Sequence, residues 1–243
     1  MTTKSKPFQF KEFTVRQDNT AMKVGTDAVL LGAWVSVENK PESILDIGAG
    51  TGVVSLMMAQ RTEAFTIDGV EVEENAYEQC VENFELSDWA DRLFCYHSSF
   101  EIFVEEMEEE EEKYDVIISN PPFYSDEFES GNQARNKARF TSSLSFDDLI
   151  TGVAKLLGDD GTFSVIIPYK EEKSFVEIAK AQKLLLNKVC RVKGNPTSEI
   201  KRSLLTFSFN ETIIEEEELV IELSRHQYTQ DYINLTKYFY LKM

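Results

Sequence analysis

Apolar and polar positions follow two rhythms along residues 43–209, one typical of buried strands and one of amphipathic helices. Short runs rich in β-branched residues predict strands at 43–48, 65–72, 92–97, 114–119, 161–168, 188–193 and 203–209. Longer segments with helical spacing predict helices at 53–61, 74–86, 146–157 and 174–186. This repetition predicts an α/β fold, in which helices cover both faces of a parallel sheet and the last two strands are close enough to pair antiparallel.

The first predicted strand ends in a glycine-rich loop that contains Asp46, Gly48, Gly50 and Gly52. Ligands of parallel sheets bind at the carboxyl ends of the strands, and glycines let the backbone approach a ligand closely. The spacing is G-x-G-x-G, with Val53 where a dinucleotide-binding loop has its third glycine, and this disfavours NAD. A plain strand-to-helix turn is the alternative. Asp46 is placed either to orient the loop or to meet a cationic amine.

The second predicted strand ends in Glu71, roughly twenty residues after the loop, where a carboxylate can accept both hydroxyls of a ribose. The alternative is an acid on a solvated strand end, because the surrounding residues are acidic as well. The position of Glu71, more than its residue type, favours the ribose role.

The fourth predicted strand ends in Asn120, Pro121, Pro122 and Phe123, the most specific feature of the chain. A rigid turn would explain two prolines after a buried strand, but not Asn120 and Phe123 beside a glycine loop and Glu71. An aromatic amine such as adenine N6 is a poor nucleophile because its lone pair is delocalised into the ring. The side-chain oxygen of Asn120 and the carbonyl of Pro121 can each accept one N–H and so aim the lone pair. Phe123 can stack on the base.

Charge at first argues against a nucleic-acid partner, since the 243 residues include 43 acidic and 25 basic ones, for a net charge of −18. Two runs, 105–112 and 215–218, hold seven and four of the acids, and we interpret both as solvated segments. Residues 183–202, in contrast, include six basic residues and one acidic residue. Their distribution permits a limited nucleic-acid footprint.

Several residue types are too sparse for other classes of site. The cysteines Cys80, Cys95 and Cys190 are far apart, and only His97 and His226 supply imidazoles, so we expect no metal site and no disulfide framework. The sequence has no apolar leader and no run of about 18 apolar residues, which favours a cytoplasmic protein without a membrane partner.

The loop, the acid and the Asn-Pro-Pro-Phe sequence together resemble the class I S-adenosylmethionine-dependent methyltransferases that carry an N-P-P-(F/Y/W) motif. This resemblance implies a Rossmann-like fold with a seven-stranded, mostly parallel sheet whose last strand is antiparallel, and S-adenosyl-L-methionine as cofactor. Residues 8–34, residues 228–242 and the pair Lys201-Arg202 resemble the tRNA1(Val) (adenine(37)-N6)-methyltransferase family. The resemblance implies a single domain over 1–243, with residues 1–42 as an extension over the site and 43–243 as the core.

The resemblance also implies roles for individual residues. Lys23 and Thr26, with Asp27, match the segment that covers the methionine end of the cofactor, and Asn120 also adjoins the cofactor. Asp46, Gly48, Gly50 and Gly52 match the cofactor loop, and Glu71 matches the ribose acid. Ser99 stands where the family commonly has an aspartate that contacts the cofactor adenine. A hydroxyl accepts a hydrogen bond more weakly than a carboxylate, so the sequence departs from the family there.

The substrate implied by the resemblance is adenosine 37 in the anticodon loop of a valine tRNA, where an unpaired base is cheap to flip. No obligate protein partner is evident. Scattered surface lysine and arginine is the alternative to an RNA-binding role for the basic residues. The candidate RNA-binding residues are Arg16, Arg135, Lys137, Arg139, Lys193, Lys201 and Arg202.

Two other functions stay open. A glutamine-amide N5-methyltransferase of a release factor uses the same loop chemistry on another planar amine, but it usually carries a separate N-terminal helical domain. Only about 40 residues precede the first predicted strand. A non-catalytic cofactor-binding protein that acts through its acidic faces is the second alternative.

Overall fold

Eight strands form the central sheet of the computed structural model, which describes residues 6–20, 22–122 and 144–243. The strands in chain order are β1 (Phe8–Gln9), β2 (Thr14–Val15), β3 (Ser43–Ile47), β4 (Thr66–Glu71), β5 (Leu93–His97), β6 (Tyr114–Ser119), β7 (Leu157–Pro168), β8 (Leu185–Lys193), β9 (Ile200–Ser208), β10 (Glu215–Val220), β11 (Glu222–Ser224) and β12 (Gln227–Tyr228). The helices are α1 (Thr26–Trp34), α2 (Val53–Arg61), α3 (Glu74–Glu85), α4 (Phe100–Glu109), α5 (Phe146–Leu156), α6 (Glu172–Ala181) and α7 (Gln230–Thr236).

The strand order is β10-β8-β9-β7-β6-β3-β4-β5, and β9 runs antiparallel to both of its neighbours. This confirms the predicted α/β class and the antiparallel pair. The predicted count of seven strands is wrong, because β10 adds an eighth strand that runs parallel to β8 at the edge. The antiparallel strand therefore lies inside the sheet and is not its last strand.

Four consecutive glutamates begin β10, which is why the sequence suggested a solvated segment there. They pair across the strands with the basic residues of β8. Lys188 contacts Glu217 at 2.9 Å, and Arg191 contacts Glu216 at 2.8 Å. Both pairs are diagonal neighbours in the register, within reach of long side chains, and opposite charges on adjacent strands stabilise a sheet, so this acidic run becomes an ordered edge.

Apolar layers cover both faces of the sheet, as predicted. Side chains alternate along β6, so Val116 and Ile118 join the layer with α1 and α2, whereas Ile117 joins the layer with α4 and α5. Continuous apolar runs in the inner strands follow from this two-sided burial. Among the described residues, no helix combines the length and the apolar character that a membrane span needs.

Most predicted helices and strands are confirmed with ends that shift by a few residues. The helix predicted at 174–186 instead ends at Ala181, and Lys183 takes a positive φ of 65° before β8 begins. Helices α1, α4 and α7 were not predicted. The acidic run 105–112 forms the exposed end of α4 and the turn after it, with only Met107 buried, which agrees with a solvated helix.

The two ends of the chain meet. Phe10 forms a β-bridge with Tyr240, their rings stack with centroids 6.0 Å apart, and the Lys11 N–H donates to the Phe239 carbonyl at 2.9 Å. We call residues 6–20 the N-terminal strap. The strap and the C-terminal helix region are the two segments that carried the finer family resemblance, and they form one packed unit.

Candidate functional site

The carboxyl ends of β3, β4 and β6 converge at one edge of the sheet. The Gly48 and Ala49 N–H groups donate to the Val70 carbonyl at the end of β4, at 2.9 and 3.2 Å. The Ser119 hydroxyl, at the end of β6, donates to the Ile47 carbonyl at 2.9 Å. These bonds hold the glycine loop beside the ends of both neighbouring strands.

All three loop glycines have a positive φ, of 72° at Gly48, 57° at Gly50 and 76° at Gly52. Only Gly52 is also confined by packing, because an added Cβ would lie 2.5 Å from Cε1 of Phe84. A Cβ at Gly48 would meet nothing within 4 Å. Gly52 therefore seats helix α2 against α3, while the backbone at Gly48 stays open to a ligand.

Asp46 lies beneath the loop with 1% of its surface exposed. Its carboxylate accepts the Ser55 N–H at 3.1 Å and the Ser55 hydroxyl at 2.7 Å, in the first turn of α2. Burial raises the pKa of Asp46 to about 6, against the effect of the two Ser55 bonds. Of the two roles that the sequence left open, these contacts support the one that orients the loop.

Glu71, at the end of β4, accepts hydrogen bonds from the glycine loop and from the segment that follows β4. One carboxylate oxygen accepts the Gly50 N–H at 2.8 Å and the other accepts the Glu73 N–H at 2.9 Å. The side chain is only partly buried, so its remaining lone pairs face outward. A ribose that lies against the loop would find this acid in a fixed orientation.

A cleft of about 430 Å³ opens next to Glu71, because β5 is the neighbour of β4 in the sheet. Val72 and Ile102 give it exposed apolar surface, and the Ser99 hydroxyl accepts the Ile102 N–H at 3.3 Å as the cap of α4. The cleft is lined by Val72, Tyr96, His97, Ser98, Ser99, Ile102 and Glu106. An apolar slot with a few polar groups suits a flat heterocycle such as adenine.

His97 packs against a neighbouring ring and a backbone carbonyl in this arrangement. Its ring stacks on Tyr77 with centroids 4.9 Å apart, and its Nε2 lies 3.3 Å from the Val72 carbonyl. This agrees with a structural histidine at a strand end. Within the described ranges, no group of three or more His, Cys, Asp or Glu side chains is arranged to hold a metal ion.

Asn120 follows β6 directly and is half-buried at the same edge as the glycine loop. Pro121 is buried and Pro122 is exposed. Phe123 lies outside the described residues. Because β6 pairs with β3, Asn120 and Pro121 follow the strand next to the one that ends in the glycine loop, and Glu71 ends the strand on the other side of β3.

The candidate RNA-binding residues divide into two groups. Arg135, Lys137 and Arg139 lie outside the described residues. Each of the others except Lys201 has an acidic partner: Arg16 pairs with Glu82, Lys193 pairs with Glu218 at 2.9 Å, and Arg202 pairs with Asp27 at 2.8 Å. Their RNA-binding role stays a prediction, and these pairs reduce the positive charge that they present.

The candidate residues for the methionine end of the cofactor lie at the start of α1. Lys23 and Thr26 are exposed, and Asp27 is held by Arg202 from β9. Sequence reasoning missed three buried amides that brace this region, Gln17, Gln79 and Asn83. The available signal was two amides, four residues apart, on the same side of α3 as the apolar positions.

Comparisons with known proteins agree with this geometry. The family model of the methyltransferase small domain matches residues 24–173. A predicted O-methyltransferase from Agrobacterium tumefaciens has a similar solved structure, with a TM-score of 0.68, 19% identity and coverage of 87% of this chain and 96% of that chain. An S-adenosylmethionine-dependent methyltransferase from the same organism gives a TM-score of 0.59 at 13% identity, covering 86% of this chain and 72% of that one.

The sheet order and the glycine loop, with these matches, define a Rossmann-like methyltransferase. Curated relatives with higher sequence identity show the narrower family to which the chain belongs. A protein of Christiangramia forsetii is 55% identical over 98% of this chain and 99% of its own length, and one of Flavobacterium johnsoniae is 56% identical over 97% and 100%. A Bacteroides fragilis protein is 44% identical over 97% and 98%. All three are named tRNA1(Val) (adenine(37)-N6)-methyltransferase. The chain belongs to this family.

Proposed function

We propose that the chain methylates N6 of adenine in tRNA with S-adenosyl-L-methionine, at adenosine 37 of a valine tRNA. The observation that carries this proposal is identity of 55–56% to relatives of that name over nearly the whole of both chains. A tRNA substrate also supports the cytoplasmic location that the sequence predicts.

The residues at the strand ends fit the cofactor. Glu71 presents fixed carboxylate oxygens to the ribose, and the backbone at Gly48 has open space before it. The cleft beside Ser99 suits the adenine, and Lys23 and Thr26 are exposed to meet the methionine end. When bound, S-adenosylmethionine supplies an electrophilic methyl group on a sulfonium.

Asn120 and Pro121 perform the positioning in this proposal. The Asn120 side-chain oxygen and the Pro121 carbonyl each accept one N–H of the adenine amine, which draws its lone pair out of the ring. Proline has no N–H, so this turn offers acceptors where the amine needs them. The amine proton leaves to solvent after transfer, and Phe123 stacks on the base. Orientation and hydrogen bonding supply most of the acceleration.

The alternatives receive less support. A release-factor enzyme is less well supported, because the relatives that match nearly the whole of this chain carry the name of a tRNA enzyme. A non-catalytic protein would have no need of Asn120 and Pro121 beside the loop. The acidic edge of the sheet is already neutralised by β8, which leaves it little charge for a basic partner.

The decisive experiment incubates the purified protein with labelled S-adenosylmethionine and, in separate reactions, with tRNA from a strain that lacks this gene or with a release factor. We expect label in valine tRNA, and nucleoside mass spectrometry should identify N6-methyladenosine at position 37. Label in a release factor instead would favour the glutamine-amide alternative. No transfer to either substrate, from protein that binds the cofactor, would leave the non-catalytic alternative. Unlabelled tRNA would overturn our proposal in both cases.

A further inference from the structure

Two side-chain amides of α3 join the N-terminal strap to the glycine loop. Gln79 and Asn83 stand four residues apart, on one face of the helix, and each has only 1% of its surface exposed. Neither serves the apolar core. All but one of their hydrogen bonds run to backbone groups of segments that are far away in the sequence.

Asn83 makes three such bonds. Its Oδ1 accepts the Arg16 N–H at 2.8 Å, and its Nδ2 donates to the Arg16 carbonyl at 3.0 Å and to the Thr51 carbonyl at 2.8 Å. Thr51 stands between Gly50 and Gly52. One side chain therefore fixes both the strap and the glycine loop.

Gln79 extends the same contact by one turn of helix. Its Oε1 accepts the Asp18 and Asn19 N–H groups, both at 3.2 Å, and its Nε2 donates to Glu82 at 2.6 Å. Glu82 in turn pairs with Arg16. The strap is thus held along residues 16–19 by a row of polar groups on α3.

Gln17 links the strap to the segment that contains the candidate cofactor residues Lys23 and Thr26. It is largely buried, and its Oε1 accepts the Val24 N–H at 3.0 Å while its Nε2 donates to the Lys6 carbonyl at 3.0 Å. Val24 stands between Lys23 and the start of α1 at Thr26. The position of the strap therefore sets the position of the segment that contains Lys23 and Thr26.

We infer that Asn83 and Gln79 are positioning residues for the cofactor, which couple the conformation of the glycine loop to the placement of Lys23 and Thr26. Because one amide holds both segments, a ligand that stabilises the loop also stabilises the strap, and the effect is reciprocal. Replacement of Asn83 by an apolar residue would leave buried backbone groups at Arg16 and Thr51 without partners. The inference depends on the proposed function only for the identity of the cofactor.

The test compares Asn83→Leu, which keeps most of the volume, with wild type and with Asn187→Leu. Asn187 is a matched control, because its Nδ2 also bridges to distant groups, the Asn210 carbonyl at 3.0 Å and the Thr212 hydroxyl at 2.8 Å, at the opposite end of β8 from the site. Gln79→Ala is a second variant in case Asn83→Leu fails to fold. Circular dichroism checks that each variant is folded.

Two readouts are independent of turnover. Calorimetry with S-adenosylhomocysteine should show binding at least tenfold weaker in Asn83→Leu, several-fold weaker in Gln79→Ala and unchanged in Asn187→Leu. Hydrogen exchange of the peptide 14–20 should slow in wild type when S-adenosylhomocysteine binds, and this protection should be lost in Asn83→Leu. A folded Asn83→Leu with affinity within twofold of wild type, or with the same ligand-dependent protection, would overturn the inference.

The outcomes also separate this inference from the proposed function. Wild type that binds S-adenosylhomocysteine but leaves tRNA unmethylated would refute the substrate and keep the positioning role testable through the same two readouts. Normal methylation by wild type, together with normal affinity and protection in Asn83→Leu, would refute the positioning role alone. Wild type that does not bind S-adenosylhomocysteine would refute both.

Discussion

Replacing Asp46 with asparagine should remove a pH-dependent part of the stability. Burial raises the pKa of this carboxyl from 3.8 to about 6 in the folded chain. An acid with a raised folded pKa favours folding below its unfolded pKa, and this contribution is lost as the pH rises through the folded pKa. The raised pKa costs about 3 kcal/mol of folding free energy at pH 8 and about 2 kcal/mol at pH 5.

Urea unfolding at pH 5 and pH 8 measures this difference. Between pH 8 and pH 5, wild type should gain about 1 kcal/mol of unfolding free energy relative to Asp46→Asn. The comparison cancels the titrating groups that do not interact with Asp46, because both proteins share them. Both Ser55 bonds are accepted by Oδ2 of Asp46, so the amide oxygen introduced by Asp46→Asn can take that place and still orient α2.

Asp68→Asn provides an internal check. Burial raises the pKa of Asp68 to about 6 as well, and its carboxylate accepts the Tyr114 hydroxyl at 2.7 Å. Asp68 pairs with Leu45 in the neighbouring strand, so it lies on the opposite face of the sheet from Asp46. The two effects should add. Parallel pH profiles for wild type and Asp46→Asn would refute the reasoning, whatever the absolute stabilities.

Further predictions concern the loop and the reaction. Gly52→Ala should destabilise the fold by about 3 kcal/mol, because the new Cβ would overlap Phe84 at a positive φ, whereas Gly50→Ala, with open space, should cost about 1 kcal/mol in thermal unfolding. Equal losses would contradict the packing argument. Asn120→Ala should lower turnover at least a hundredfold with unchanged cofactor affinity, measured by single-turnover kinetics and calorimetry; a near-normal rate would exclude Asn120 from the mechanism. Glu71→Gln should weaken S-adenosylhomocysteine binding about tenfold, since an amide accepts less strongly, and unchanged affinity would argue against the ribose contact.

The sequence predicted the parts of this protein that depend on local pattern. The glycines directly follow one predicted strand, and the Asn120-Pro121 pair directly follows another. Because ligands of parallel sheets bind at the carboxyl ends of the strands, both segments are expected at the same edge. The same reasoning located Glu71 beside the loop, and the structure places its carboxylate on the Gly50 N–H. The α/β class therefore followed from hydrophobic periodicity and the alternation of strands with helices.

The rest depends on pairs that are distant in the sequence. Strand β10 has a polar composition, and it becomes a strand only because Lys188, Arg191 and Lys193 meet its glutamates across the sheet. Arg202 finds Asp27 at a separation of 175 residues. Local pattern carries no information about such partners, so the basic residues suggested a bare RNA surface where the structure has ion pairs.

The bridge between Phe10 and Tyr240 also limits when the strap can pack during synthesis of the chain. A ribosome makes the strap long before residue 240, so the outer half of the strap cannot form this bridge until Tyr240 has been made. The core strands can assemble earlier, because their contacts close shorter loops. Residues 16–19 are held by Asn83 and Gln79 of α3, so this inner half of the strap can pack beside the glycine loop before the outer half is paired.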